Sequence, residues 1–180
     1  MSYLKKNIIE DDNFLSERNK IFIESIFDIQ LFPFYFYKGT EKNKRGDSFL
    51  SHCLLRREEE RDEAEYGNSP FLKEALLIFE SFVDKHKIKY KKLLRASINF
   101  SYNNGFEAST YHNDHTFNHK QLLVYLNDCD KDAETWIKKD NKIIKITPEK
   151  YKGVLFDNCL HKFKFPKTRE RVVLIVTFTV

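Results

Sequence analysis

Cysteine is scarce in this 180-residue chain. The three present, Cys53, Cys129 and Cys159, are odd in number and form no CxxC pair, which argues against a disulfide scaffold. Proline and glycine are also few, at 4 and 5, and this excludes collagen-like or linker composition. No apolar run reaches the length of a membrane span, so no membrane partner is expected. The opening MSYLKKNIIEDDN lacks the apolar stretch of a secretory signal, and a reducing cytoplasm is the expected compartment. Neither sign of charge dominates. The 31 Lys and Arg face 27 Asp and Glu, leaving +4, so bulk charge does not favour a nucleic-acid partner.

Aromatic residues, by contrast, are plentiful. Seventeen Phe and nine Tyr raise the hydrophobic share to 41%, enough for one sizeable core in a chain of this length. A single domain over residues 1–180 is expected, in two parts. Residues 1–91 read as a mainly helical support. Leu15, Phe22, Ile26 and Ile29 recur at roughly helical spacing, although Arg18 and Asn19 interrupt them. A clearer helix is predicted over residues 69–87, with Ser69 as cap, Pro70 in its first turn, and a stripe of Leu72, Ala75, Leu76, Phe79, Phe82 and Val83. Between them lie an extended aromatic segment (30–37), a charged loop (38–47) and a charge run (56–65).

After about residue 92 the pattern changes to short strands: LLRASINFSY, ASTYHND, KQLLVYLN, ETWIKK, KIIKIT, KGVLFD and RVVLIVTFTV. Their spacing points to an α+β, mainly β protein, a jelly roll with the helices packed on one sheet. The last strand is apolar on both faces, which predicts a central position with helix on one side and pocket on the other.

Within the strand region, His112-Asn113-Asp114 carries an imidazole and a carboxylate two positions apart, a spacing at which both side chains leave a strand on the same side. His161 follows KGVLFD. Two histidines and one carboxylate on one face of a metal ion leave the opposite positions open, as suits iron(II) binding a cosubstrate and O₂. HxD alone arises often by chance. Arg171 strengthens it: a guanidinium opening an apolar strand is costly without an anion, and a dicarboxylate would match it bidentately. Arg169 has the same parity and is the rival; adjacency to the apolar run favours Arg171.

With His112, Asp114, His161 and Arg171 together, residues 95–180 resemble the 2-oxoglutarate and iron(II)-dependent oxygenases, built on a double-stranded β-helix. The nearer likeness is to the prolyl-hydroxylase-like branch, including small oxygenases encoded by marine phages. The family's Tyr ten positions before the first metal His corresponds to Tyr102, and its YLN to Tyr125-Leu126-Asn127. The opening Arg95-x-x-x-Asn99 also resembles the phage proteins, with Asn99 facing the pocket. The resemblance implies His112, Asp114 and His161 as iron ligands. It also implies Arg171, Tyr125, Tyr102 and Asn99 on the 2-oxoglutarate side, O₂ as cosubstrate and ascorbate as a supporting reductant. The implied reaction is hydroxylation of a C–H bond in a protein side chain (prolyl-type) or a small molecule, in the host cytoplasm if the chain is phage-encoded. One departure is Asp132-Ala133-Glu134-Thr135 where the family often has Gly-Gly-Glu-Thr. Nucleobase demethylation fits less well, since Thr177 stands where that branch carries a second Arg. A catalytically silent, cupin-like metal-binding or interaction module is the competing reading.

His115 and His119 read as solvated loop residues at the pocket rim, and His52 and His86 as structural or surface groups. Cys129 and Cys159 are alternative thiolate ligands, read more simply as small buried residues. Trp136 fits either core or pocket mouth.

Overall fold

The computed structural model describes residues 8–28, 32–40, 46–57 and 69–180. Its element order is β1 (Ile9–Asp11), α1 (Glu17–Asp28), β2 (Tyr35–Tyr37), β3 (Phe49–Leu55), α2 (Leu72–Lys85), β4 (Lys92–Ser101), β5 (Lys120–Tyr125), β6 (Thr135–Lys139), β7 (Lys142–Ile146), β8 (Gly153–Asp157), β9 (His161–Phe163) and β10 (Arg171–Thr179). Seven strands form one sheet in the order β1-β8-β5-β10-β4-β3-β2, and three form a second in the order β7-β6-β9. The strand pairings are antiparallel. The two sheets face each other as a jelly roll, and both helices lie against the outer face of the larger one.

β10 is the middle strand of seven, as its two apolar faces predict. Val172, Leu174, Val176 and Phe178 point towards the helices, where Phe79 meets Phe178 edge-on at 5.0 Å between ring centroids. Arg171, Val173 and Ile175 point the other way and line a cavity between the sheets. β4 alternates likewise: Ala96 and Ile98 join the helix-side core, while Arg95, Ser97, Asn99 and Ser101 line the cavity. A second apolar cluster, with Leu123, Ile137, Ile146, Val154 and Phe156, fills the space between the sheets beside the cavity, whose wall Leu123 also forms.

The first helix starts through side-chain hydrogen bonds. At α1 the Asn19 amide N–H donates to Ser16 Oγ (3.2 Å), and Asn19 Oδ1 accepts from the Ser16 N–H (3.0 Å), a reciprocal box. Asn19 also accepts from Ser81 Oγ on α2 at 3.0 Å, so a residue that breaks the apolar stripe is buried with its polar atoms satisfied. Ile29 lies outside the described residues. α2 begins at Leu72 rather than at Pro70, and Ser69 Oγ accepts the Phe71 N–H at 3.1 Å.

Among the described residues before β4, the two helices are joined by β1, β2 and β3, which extend both edges of the large sheet. The HxD segment is not part of a strand. His112 forms a single bridge to His161 within the long connection from β4 to β5. Half of the charged loop (41–45) and most of the charge run (58–65) fall outside the described residues.

Candidate active site

His112 and His161 exchange two backbone hydrogen bonds, each 3.0 Å, which brings residues distant in sequence side by side. Their rings lie 4.5 Å apart between centroids. Nδ1 of His112 lies 2.9 Å from the Thr110 carbonyl oxygen, and Nδ1 of His161 lies 3.0 Å from that of Cys159. A carbonyl only accepts, so each Nδ1 carries the proton and each Nε2 keeps its lone pair. Asp114 completes the group, and one ligand atom from each of the three lies within 4.8 Å of the others.

Asp114 is buried, and its two oxygens have different surroundings. Oδ1 accepts from Arg95 Nη1 at 2.7 Å, with Arg57 Nη2 at 3.7 Å. Oδ2 has no hydrogen-bond partner and lies 3.5 Å from His161 Nε2. Burial alone would raise the Asp114 pKa, but nearby positive charge, Arg95 above all, pulls it down to about 2. Burial pushes His161 to about 4, so the imidazole is neutral near pH 7 and the guanidiniums carry the effect on the carboxylate. Two imidazole nitrogens and one ionised, unsatisfied carboxylate oxygen fit a divalent transition metal such as iron(II).

These three residues line a cavity of about 520 Å³. Arg171 lies in the same cavity, 2% exposed. Its Nη2 donates to Thr135 Oγ1 at 2.8 Å, and the Tyr125 hydroxyl lies 2.8 Å from the same oxygen. The guanidinium sits over the rings of Phe163 (4.9 Å) and Tyr125 (5.3 Å), and its Nε has no partner. No carboxylate pairs with Arg171 among the described residues. Ser101 Oγ and Gln121 Oε1, on the same lining, are also buried without partners. Leu123, Val173 and Ile175 supply apolar wall.

Arg169 is exposed and does not line the cavity, so of the two arginines Arg171 occupies the site. Asn99 lines the cavity and accepts from Ser51 Oγ at 2.7 Å. Tyr125 reaches it through Thr135. Tyr102 does not line it: the chain leaves β4 after Ser101, and Tyr102 has the opposite parity to Ser97, Asn99 and Ser101. Sequence reading missed Thr135, which stands in the stretch where the glycines are absent, and Arg95 as a partner of Asp114. The polar alternation Arg95-x-Ser97-x-Asn99-x-Ser101 was the available signal for Arg95.

His115 and His119 are not solvated. They are 7% and 6% exposed, and His115 Nε2 hydrogen-bonds Thr177 Oγ1 at 2.9 Å. Burial, with help from Arg57, lowers His115 to about 4. His52 bridges the Pro33 carbonyl and Ser69 Oγ, each at 2.6 Å, and His86 meets Asp11 at 2.8 Å, so both tie elements together. Cys129 and Cys159 lie outside the cavity lining, and burial raises both thiols to about 11, so neither is a thiolate ligand. Trp136 also lies outside the lining, donating to Glu134 at 2.8 Å with Lys145 and Lys162 each 4.5 Å from its ring.

No protein-family model and no curated protein matches the sequence. Solved structures do match. A 2-oxoglutarate–iron(II) oxygenase family oxidoreductase from Burkholderia pseudomallei superposes with a TM-score of 0.75 at 12% identity, over 98% of this chain and 87% of that one. The chain has the fold of these oxygenases. A prolyl hydroxylase from Trichoplax adhaerens, solved with a hypoxia-inducible-factor peptide, gives 0.67 at 14% identity, covering 98% and 85%. The viral collagen prolyl hydroxylase of Paramecium bursaria Chlorella virus-1, solved with 2-oxoglutarate, gives 0.62 at 16%, covering 97% of each. Among the described residues no helix is long and apolar enough to cross a membrane.

Proposed function

We infer that the protein is an iron(II)- and 2-oxoglutarate-dependent dioxygenase that hydroxylates a C–H bond. The observation that carries this reading is the joint presence, in one cavity, of the His112–Asp114–His161 group and a buried Arg171 with no acidic partner among the described residues. Either feature alone has other uses; together they supply a metal position and an anchor for a dicarboxylate.

His112 and His161 present Nε2, and their Nδ1–carbonyl hydrogen bonds fix the rings in that orientation. Arg95 occupies Oδ1 of Asp114 and leaves Oδ2 as the donor. Arg171, with Thr135 and Tyr125 around it, receives the far carboxylate of 2-oxoglutarate. Val173 and Ile175 exclude water from the space between. When bound, iron(II) with 2-oxoglutarate and O₂ supplies oxidative decarboxylation to succinate and CO₂ together with removal of a substrate hydrogen. A protein side chain, prolyl-type, or a small molecule is the substrate; the fold shared with two prolyl hydroxylases supports the first.

The test is succinate release from purified protein given iron(II), ascorbate and 2-oxoglutarate, with and without proline-containing peptides. Succinate is expected from the wild type and none from His112→Ala, whose iron stoichiometry should fall towards zero. Full iron binding by the variant, or no succinate from the wild type under any condition, would leave a metal-binding or interaction module as the better reading.

A further inference from the structure

The cavity lining is one-sided in charge. Lys38, Arg57, Arg95, Lys162 and Arg171 border it, against a single carboxylate, Asp114. On the oxygenase reading, on which this inference rests, the charges of iron(II) and 2-oxoglutarate cancel each other. Arg171 is assigned to the cosubstrate and Arg95 to Asp114. Lys162 lies over the rings of Tyr111 (4.8 Å) and Trp136 (4.5 Å), which leaves Arg57 and Lys38. Arg57 reaches Asp114 Oδ1 only at 3.7 Å; its Nη1 is spent on the Asp114 backbone carbonyl and lies 3.3 Å from His115 Nδ1. It is three-quarters withdrawn from water, with 24% side-chain exposure. A guanidinium so placed is poorly compensated, because neutral acceptors and a long ion pair do not replace the hydration it has lost. Lys38 is exposed at the cavity mouth and has no acidic partner among the described residues.

We propose that the substrate carries an anionic group, a carboxylate or a phosphate, which Arg57 receives on the Asp114 side of the cavity and Lys38 attracts at its mouth. The oxidised carbon then lies close to that group in the substrate, because Arg57 stands beside the metal-binding carboxylate and not at a distant rim. The surplus positive charge also disfavours cationic substrates, which would meet like charge with no acidic side chain to offset it.

A matched panel tests this by binding. Protein holding iron(II) and 2-oxoglutarate without oxygen is titrated calorimetrically with N-acetyl-prolyl dipeptides as free carboxylates, as C-terminal amides, and as phosphoseryl against seryl forms. Charged members should bind about tenfold tighter than neutral ones, the gain of one charge-assisted hydrogen bond. The carboxylate and phosphate arms distinguish the two sources of the anion. Arg57→Gln should abolish the preference, and Lys38→Gln, on an exposed segment where folding is not at risk, should weaken it. Equal affinity for charged and neutral members, no binding by any, or a preference that survives in both variants overturns the proposal. Turnover is not the readout, so failure to make succinate sinks the oxygenase reading separately.

Discussion

Asp47 belongs to no strand or helix, yet it holds the segment that leads into the candidate metal ligands His112 and Asp114. Its Oδ2 accepts the Thr110 N–H at 2.8 Å and the Thr40 hydroxyl at 2.5 Å, and its Oδ1 accepts the Thr40 N–H at 3.0 Å. The Thr110 carbonyl in turn accepts from His112 Nδ1. One carboxylate therefore sets the position from which His112 is aimed. Burial would raise the pKa of Asp47, but the hydrogen bonds from Thr110 and Thr40 outweigh it and hold the group below the usual carboxylate value of 3.8. A carboxylate more acidic in the folded state than in the unfolded one stabilises the fold above the unfolded pKa. That contribution disappears as pH falls below 3.8 through the lower folded value. Asp47→Asn should cost about 1.5–3 kcal/mol at pH 7 by urea denaturation, and the gap to wild type should shrink at pH 3. A constant gap across that range would mean that the charge of Asp47 is not what stabilises the loop. The same residue shows a limit of sequence reading: an Asp in a charged loop looks solvated until the chain closes over it.

At the scale of elements, legibility followed apolar pattern. α2 and β10 were readable because every turn or every second residue buries a large side chain. β3 was not, because its cavity face carries Ser51 and Cys53, which blurs the alternation, and its partner strand lies far ahead in sequence. The β6–β7 hairpin turns at Asp140-Asn141, both with positive φ (47° and 60°), a pair of residue types that tolerates a two-residue turn. At the site, the ligand triad and Arg171 were legible as residue types. Their convergence was not, since it depends on the His112–His161 bridge between the irregular β4–β5 connection and the start of β9. The seam between sheet and helices is tight at Gly153 on β8. A Cβ there would meet the Phe14 and Phe82 rings at 2.8 Å, and those rings are themselves locked edge to face at 5.0 Å. Gly153→Ala should therefore destabilise the protein by about 1–3 kcal/mol through overpacking, read as a lower midpoint in denaturant with an unchanged slope. A neutral result would mean that α2 shifts outward freely.

At the scale of the whole molecule, the cavity joins elements from both sheets. Arg95, Asn99 and Arg171 come from the large sheet, Thr135 and His161 from the small one, and Asp114 from the connection between β4 and β5. A ligand held at both sheets ties them together, so occupancy should raise global stability by mass action. The order of binding is readable in the same way. On the proposed reading, iron(II), or a redox-inert divalent substitute, needs only the triad, whereas 2-oxoglutarate needs Arg171 as well. At a hundredfold excess over its dissociation constant each ligand adds about 2.7 kcal/mol, or about 5–10 °C in Tm for a chain of this size. Wild-type protein should show one upward step with metal and a second with 2-oxoglutarate. Asp114→Ala should lose both steps, and Arg171→Gln should keep the first and lose the second. Arg169→Gln, at an exposed position off the cavity, should behave as wild type. If Arg171→Gln retained the second step, the dicarboxylate anchor would have to lie elsewhere in the cavity, and the pairing of metal and anion sites on which the oxygenase reading rests would fail with it.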